Sequence, residues 1–196
     1  MNRTRTLTLA APLVGLALAL SACGGSTENA TPATQQSLQG ISTQFNGAYE
    51  AFIKDMSPHH SSAVAMAELA PTRAANADVK AIAAQISAAQ QPEIERMKGM
   101  SEAWKVDLQG GGGGSMGGGM GMGMGDGDVA TLTPLTGAAF DKEFLTRMIA
   151  HHTSAIAMSE TELAGGENPQ GKQLAEQIIA AQKAEIIERT ALLTKV

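Results

Sequence analysis

One stretch of this chain is written twice, and that repetition limits the fold more than any other feature. Phe52 to Glu68 aligns with Phe144 to Glu160 at a constant offset of 92 residues. At the same offset Gln85-Ile86, Ala89-Gln90 and Glu93-Ile94 return as Gln177-Ile178, Ala181-Gln182 and Glu185-Ile186. Val, Ile and Thr never alternate over a strand's length, which argues against a sheet. From Ile41 onward the chain is rich in Ala, Ile, Leu, Met, Glu and Gln, mostly good helix formers. Each unit therefore reads as a motif helix, a break and a second helix. Pro71 is expected to close the first motif helix and Gly165-Gly166 the second, while Asn168-Pro169 offers an N-cap and a first helical residue for the last helix. Two such hairpins predict an all-α four-helix bundle with a pseudo-twofold relation.

Pro58 and Pro92 fall inside predicted helices of the first copy, where proline removes a backbone hydrogen bond; Ala150 and Ala184 replace them in the second. We expect the helices to run through. The rival reading starts a helix at Ser57-Pro58 with Ser57 as cap. The histidines are helical in both.

The chain opens like an export signal, with Arg3 and Arg5 before an apolar run from Leu7 to Leu20, too short and early for a confident membrane span. Leu20-Ser21-Ala22-Cys23 resembles a bacterial lipobox, which implies lipidation of Cys23, the sole cysteine. A plain secretory peptide with an incidental cysteine is the alternative. The expected organisation is a signal peptide over 1–22, a disordered tether over 23–43 and the bundle over 44–196, divided into a first hairpin (44–108), a Gly/Met-rich central loop (109–128) and a second hairpin (129–196). Losing residues 1–22 removes two arginines and no acids, moving the net charge from −5 to −7. An acidic chain with one Trp and one Tyr lacks the basic patch and stacking residues that nucleic acid requires, so no nucleic-acid partner is expected.

At about 100° per residue, Met56, His59, His60, Ala63 and Met66 share one helix face, as do Met148, His151, His152, Ala155 and Met158. In an antiparallel bundle such stripes face the interior, so imidazoles and thioethers are expected to point at a common space. Adjacent histidines diverge by about 100°, so one of each pair is expected inward while the other binds at the rim or hydrogen-bonds a carboxylate that fixes its tautomer. Single methionines and histidines commonly just pack cores. Here all four histidines lie in the two pairs, and the ten methionines after Met1 are confined to the motifs, to Met97 and Met100, and to Met116, Met120, Met122 and Met124 in the glycine loop. Thioether with imidazole favours Cu(I) and, by the same softness, Ag(I). The loop methionines could gather a soft ion or simply decorate a linker. Gln90 and Glu93 recur as Gln182 and Glu185, which predicts a polar layer against the histidines. Met97 and Met100 do not recur and are read as core or accessory positions. No Glu-x-x-His of a di-iron bundle and no His-Glu-x-x-His occurs, so an enzyme is not expected.

The doubled motif, Met56-Ser57-Pro58-His59-His60 to Met66 and Met148-Ile149-Ala150-His151-His152 to Met158, resembles the ferritin-like domain-of-unknown-function family three-zero-five, some members of which are periplasmic copper-binding proteins of the CopM type. The ending from Gln90 and Glu93 to Met97 and Trp104 resembles the family too. The second motif departs from its pattern at Ala150, where the family has proline. The resemblance implies a ferritin-like four-helix fold and copper or silver binding through Met and His. Together these features predict an exported lipoprotein, on the outer face of the cytoplasmic membrane or in the periplasm, anchored through Cys23. Its expected role is to buffer, sequester or pass Cu(I) to a transfer partner. A metal-free interaction module is the alternative.

Overall fold

The computed structural model describes Ser42, residues 44–108 and residues 124–196, with side chains described from Gly127 in the last segment. The export signal, Cys23, most of the tether and the loop methionines Met116, Met120 and Met122 lie outside the described residues, as does the side chain of Met124.

Every regular element among the described residues is helical: α1 (Gly47–Ala67), α2 (Ala70–Arg73), α3 (Ala77–Trp104), α4 (Met124–Leu132), α5 (Gly137–Gly165) and α6 (Pro169–Leu193). The four long helices form the expected ferritin-like bundle. α1 packs on α3 and α5 on α6, so each repeat is a hairpin, and α1 lies against α5 at the centre. None of the described helices is long and apolar enough to cross a membrane.

Local chemistry explains the helix ends. Asn76 and Asn168, again 92 residues apart, cap the second helix of each hairpin; Asn76 Oδ1 accepts from the amides of Asp78 and Val79, and Asn168 Oδ1 from that of Gly171. Pro169 sits in the first turn, where its missing N–H costs nothing. Gly165 ends α5 as expected. The first break differs in detail: α1 ends at Ala67, and Pro71 starts the short α2 rather than closing α1. Both helices of the first hairpin pass through their prolines, Pro58 in α1 and Pro92 in α3, so no helix starts at Ser57-Pro58. α4 starts at Met124, ahead of the boundary drawn at Val129. It packs on α1 and α5, and Asp128 pairs with Arg147, so tertiary contact outweighs the poor helix propensity of its glycines.

The core has two lobes. One gathers Ala63, Met66, Val79, Ile82, Ile86, Leu132, Phe140, Phe144, Leu145 and Met148. The other gathers Tyr49, Phe52, Ile53, Met56, Met97, Met100, Ala155, Leu174 and Ile178. The histidines belong to neither lobe.

Candidate metal centre

The motif helices α1 and α5 cross antiparallel, and the crossing is reciprocal. His59 Nε2 lies 2.6 Å from Ser154 Oγ and His151 Nε2 lies 2.9 Å from Ser62 Oγ. Ser62 and Ser154 each stand three residues after a motif histidine and, like the histidines, are 92 residues apart. The rings of His59 and His151 lie against each other, tilted, with centroids 3.6 Å apart and planes 32° apart. The pseudo-twofold axis therefore passes between these two imidazoles.

The other histidine of each pair turns toward its own hairpin partner. His60 Nε2 lies 2.7 Å from Glu93 Oε2 on α3, and His152 Nε2 lies 2.5 Å from Glu185 Oε2 on α6. The expected polar layer thus exists, and one member of each pair is held by a carboxylate. Gln90 and Gln182, one turn before these glutamates, are buried. His60, His151 and His152 are fully buried, and His59 is part-buried.

The surroundings assign the ring protons. Ser62 donates its hydroxyl hydrogen to the His59 carbonyl (3.0 Å) and Ser154 donates to the His151 carbonyl (2.8 Å), so each Oγ is left to accept from an imidazole. His151 Nε2 also lies 2.9 Å from the His59 carbonyl, which can only accept. The carboxylates of Glu93 and Glu185 likewise call for an Nε2–H donor. All four rings are then Nε2–H tautomers, a protonation inferred from the network. All four Nδ1 atoms are buried without a hydrogen-bond partner.

Burial disfavours the charged form of three of the rings. Burial, reinforced by His60 and His152, lowers the His59 pKa from 6.5 to about 3. Burial lowers that of His151 to about 2, with the other three imidazoles adding to the effect and the His59 carbonyl opposing it. Burial also lowers His152, outweighing its bond to Glu185. For Glu185, burial favours protonation, but the His152 hydrogen bond and the Arg189 charge prevail and hold its pKa low. In the Nε2–H tautomer each Nδ1 keeps an unshared electron pair and is ligand-competent without losing a proton.

The methionines divide between the two lobes rather than sharing one space. Met56 lies in the same lobe as Met97 and Met100, with the half-buried Met158 at its edge, while Met66 and Met148 share the other. Antiparallel register explains this, since α1 runs from Met56 to Met66 while α5 runs from Met158 back to Met148 alongside it. Met97 and Met100 are core residues, as expected, and Met100 Sδ accepts the Tyr49 hydroxyl at 2.7 Å. Among the described residues no three His, Cys, Asp or Glu side chains group into a metal cage.

Sequence reasoning missed Ser62, Ser154 and Arg189. The serines carried a signal, a hydroxyl three residues after a histidine in both copies. Arg189 also accompanies Glu185, Nη2 to Oε2 at 3.3 Å.

A family model described as a domain of unknown function, DUF305, matches residues 50–193. Among solved structures, CopM in its Cu(II)-bound form superposes with a TM-score of 0.64 at 31% identity, covering 75% of this chain and 96% of that one. The Cu(I)-bound and Ag-bound forms of CopM match with TM-scores of 0.62 and 0.60 at 30% and 28% identity. A DUF305 fragment from Deinococcus radiodurans gives a TM-score of 0.67 at 25% identity, covering 77% of this chain and 98% of the other. An uncharacterized protein of Acanthamoeba polyphaga mimivirus is 43% identical over 53 residues, 27% of this chain; that match spans about a third (35%) of the viral protein.

Proposed function

The chain belongs to the DUF305 family, and from that membership and its histidine layer we propose that it is an extracytoplasmic lipoprotein that binds Cu(I), and Ag(I) by the same chemistry, to buffer or hand on copper. The observation that carries the reading is the set of four buried, unpartnered imidazole Nδ1 atoms between two pairs of motif methionines. An unsatisfied buried acceptor costs about 1–3 kcal/mol, a cost that a coordinated cation removes. Structures of the similar protein CopM have been solved with Cu(II), Cu(I) and Ag bound, which supports copper or silver as the metal. Export and anchoring rest on the signal-like N-terminus and on Cys23, and an outward-facing compartment favours thioethers because free thiols there oxidise to disulfides. We take the role to be binding without turnover.

The test is an Ag(I) titration, and a Cu(I) titration under reducing conditions, of the purified protein against a variant carrying His60→Ala, His152→Ala, Met56→Leu and Met148→Leu. Tight binding that the variant loses while remaining helical is the expected result. Equal, weak binding by both proteins would leave the histidines a packing role alone.

A further inference from the structure

The offset of 92 residues runs through the hairpins as well as the motifs, and it builds the same quartet of positions twice. In the first hairpin Met56 stands one turn before His60 on α1, His60 bonds Glu93 on α3, and Met97 stands one turn after Glu93. In the second, Met148 stands one turn before His152 on α5, His152 bonds Glu185 on α6, and Arg189 stands one turn after Glu185. Three positions are identical in kind, and the fourth exchanges a thioether for a guanidinium. One turn further on, Met100 is matched by Leu192.

This exchange happens in the interior. Arg189 is 1% exposed, Met97 is 0% exposed, and Arg189 Nη2 lies 3.3 Å from Glu185 Oε2. The Nε and Nη1 atoms of Arg189 have no partner. A buried guanidinium stays charged and is expensive to bury unless paired, so Glu185 is committed to it as well as to His152. In the first hairpin Glu93 bonds His60, and Arg96, close enough to feel the Glu93 charge, is only part-buried and directs its donors to Gln170, Gln173 and Gln177. The lobe holding Met56 and Met97 also holds Met100 and, at its edge, Met158, whereas among the described side chains the lobe holding Met148 has Met66 as its other methionine. At the buried position one turn after the glutamate, the first half therefore carries a thioether and the second a guanidinium.

We propose, resting on the copper-binding reading, that the two halves are inequivalent: Met56, His60 and Met97 hold the soft monovalent cation, while in the second hairpin the Arg189 guanidinium stands in the ion's place and closes that half to metal. His60 offers Nδ1 while Glu93 holds its Nε2–H. Met56 and Met97 supply sulfur, and Met100, whose sulfur already accepts the Tyr49 hydroxyl, stands behind them. In the second half an incoming ion meets a buried guanidinium, paired with Glu185, where the first half has the Met97 thioether.

The experiment uses the chain with its four loop methionines replaced (M116L, M120L, M122L, M124L), titrated with Ag(I) and followed by native mass spectrometry and by NMR of 13C-labelled methionine methyls. One tightly held ion is expected, with the Met56 and Met97 methyls moving and the Met148 methyl unmoved. Arg189→Met, which installs the residue its twin position already uses, should admit a second ion and move Met148. Met97→Arg should abolish tight binding in the first half. Two ions of like affinity before any change at Arg189, or a Met148 methyl that moves together with Met56, overturn the inference while leaving copper binding intact. A folded R189M protein that still holds one ion also overturns it. Absence of any Ag(I) binding overturns the functional reading, and the inference with it. If R189M does not fold, the methyl shifts of the parent protein and the M97R result decide alone.

Discussion

Acidifying the metal-free protein from pH 7 to pH 5 should cost it stability through two buried rings. In the unfolded chain a histidine takes up its proton near pH 6.5, whereas folded His59 and His151 resist until about pH 3 and about pH 2. Their folded pKa values are lowered, so the stability they contribute is complete above pH 6.5 and falls progressively as pH drops toward 3. At pH 5 the unfolded rings are almost fully protonated, and linkage gives a loss of about 2 kcal/mol for each, or about 4 kcal/mol together. Glu162 acts in the opposite sense. Its carboxyl is buried with no hydrogen-bond partner at either oxygen, and burial raises its pKa to about 7. Its ionisation is costly above pH 7 and is relieved on acidification, returning about 2 kcal/mol by pH 5. The net loss is about 2 kcal/mol in the native chain and about 4 kcal/mol in Glu162→Gln. For a domain of this size that corresponds to a fall in Tm of about 4–8 °C and about 8–16 °C respectively. Differential scanning calorimetry with a chelator present, at matched ionic strength, measures both, and a His59→Gln, His151→Gln variant should flatten the slope. An E162Q protein whose Tm is the same or higher at pH 5 than at pH 7 would refute the assignment of neutral, buried rings.

Four further substitutions have outcomes set by the same packing. Glu162→Gln should itself raise Tm at pH 8 and lose that advantage toward pH 5, a crossover visible in thermal unfolding by circular dichroism. Gly171→Ala should destabilise by about 1–3 kcal/mol in urea unfolding, because its Cβ would run into the Tyr49 ring. Asp141→Ala should cost about 2–4 kcal/mol, since its carboxylate accepts from the amides of Ala75 (3.2 Å) and Asn76 (2.9 Å) and joins the start of α5 to the first hairpin's turn; the same urea titration measures it. Met56→Leu should change metal-free stability by less than about 1.5 kcal/mol, as a near-isosteric swap, yet remove most of the Tm increase that Ag(I) produces, because a ligand stabilises only in proportion to its binding.

Much of this architecture can be read from the chain because it is local or repeated. The 3.6-residue stripe put His60 and Met56 on one face. The recurrence of Gln90 with Glu93 in the second copy pointed to the carboxylates that now hold His60 and His152, and the Asn168-Pro169 pair marked a helix start. Other features depend on how separate elements meet, which no spacing within a helix records. The pairing of Met66 with Met148's lobe and of Met158 with Met56's comes from the antiparallel crossing of α1 and α5, so the four motif methionines became two groups. Tyr49 and Asp141 occupy equivalent positions but do different work, one bonding Met100 sulfur and the other capping backbone amides, and residue type alone could not foresee either. Glu162 is a carboxylate that burial statistics place outside, yet it lies within. The start of α4 was hidden by glycine, whose low propensity is overcome by packing on α1 and α5.

The reciprocal bonds between His59 and Ser154 and between His151 and Ser62 have a further consequence. A surface that contacts its own equivalent is isologous, the relation that defines a twofold homodimer, so a single hairpin contains every side chain needed to make that contact with a copy of itself. Two such hairpins on separate chains would form the same crossing, but every substitution would then appear on both sides of the axis. Joining the copies in one polypeptide releases that constraint. Met97 can face one half while Arg189 faces the other, and a symmetric scaffold can carry an asymmetric charge.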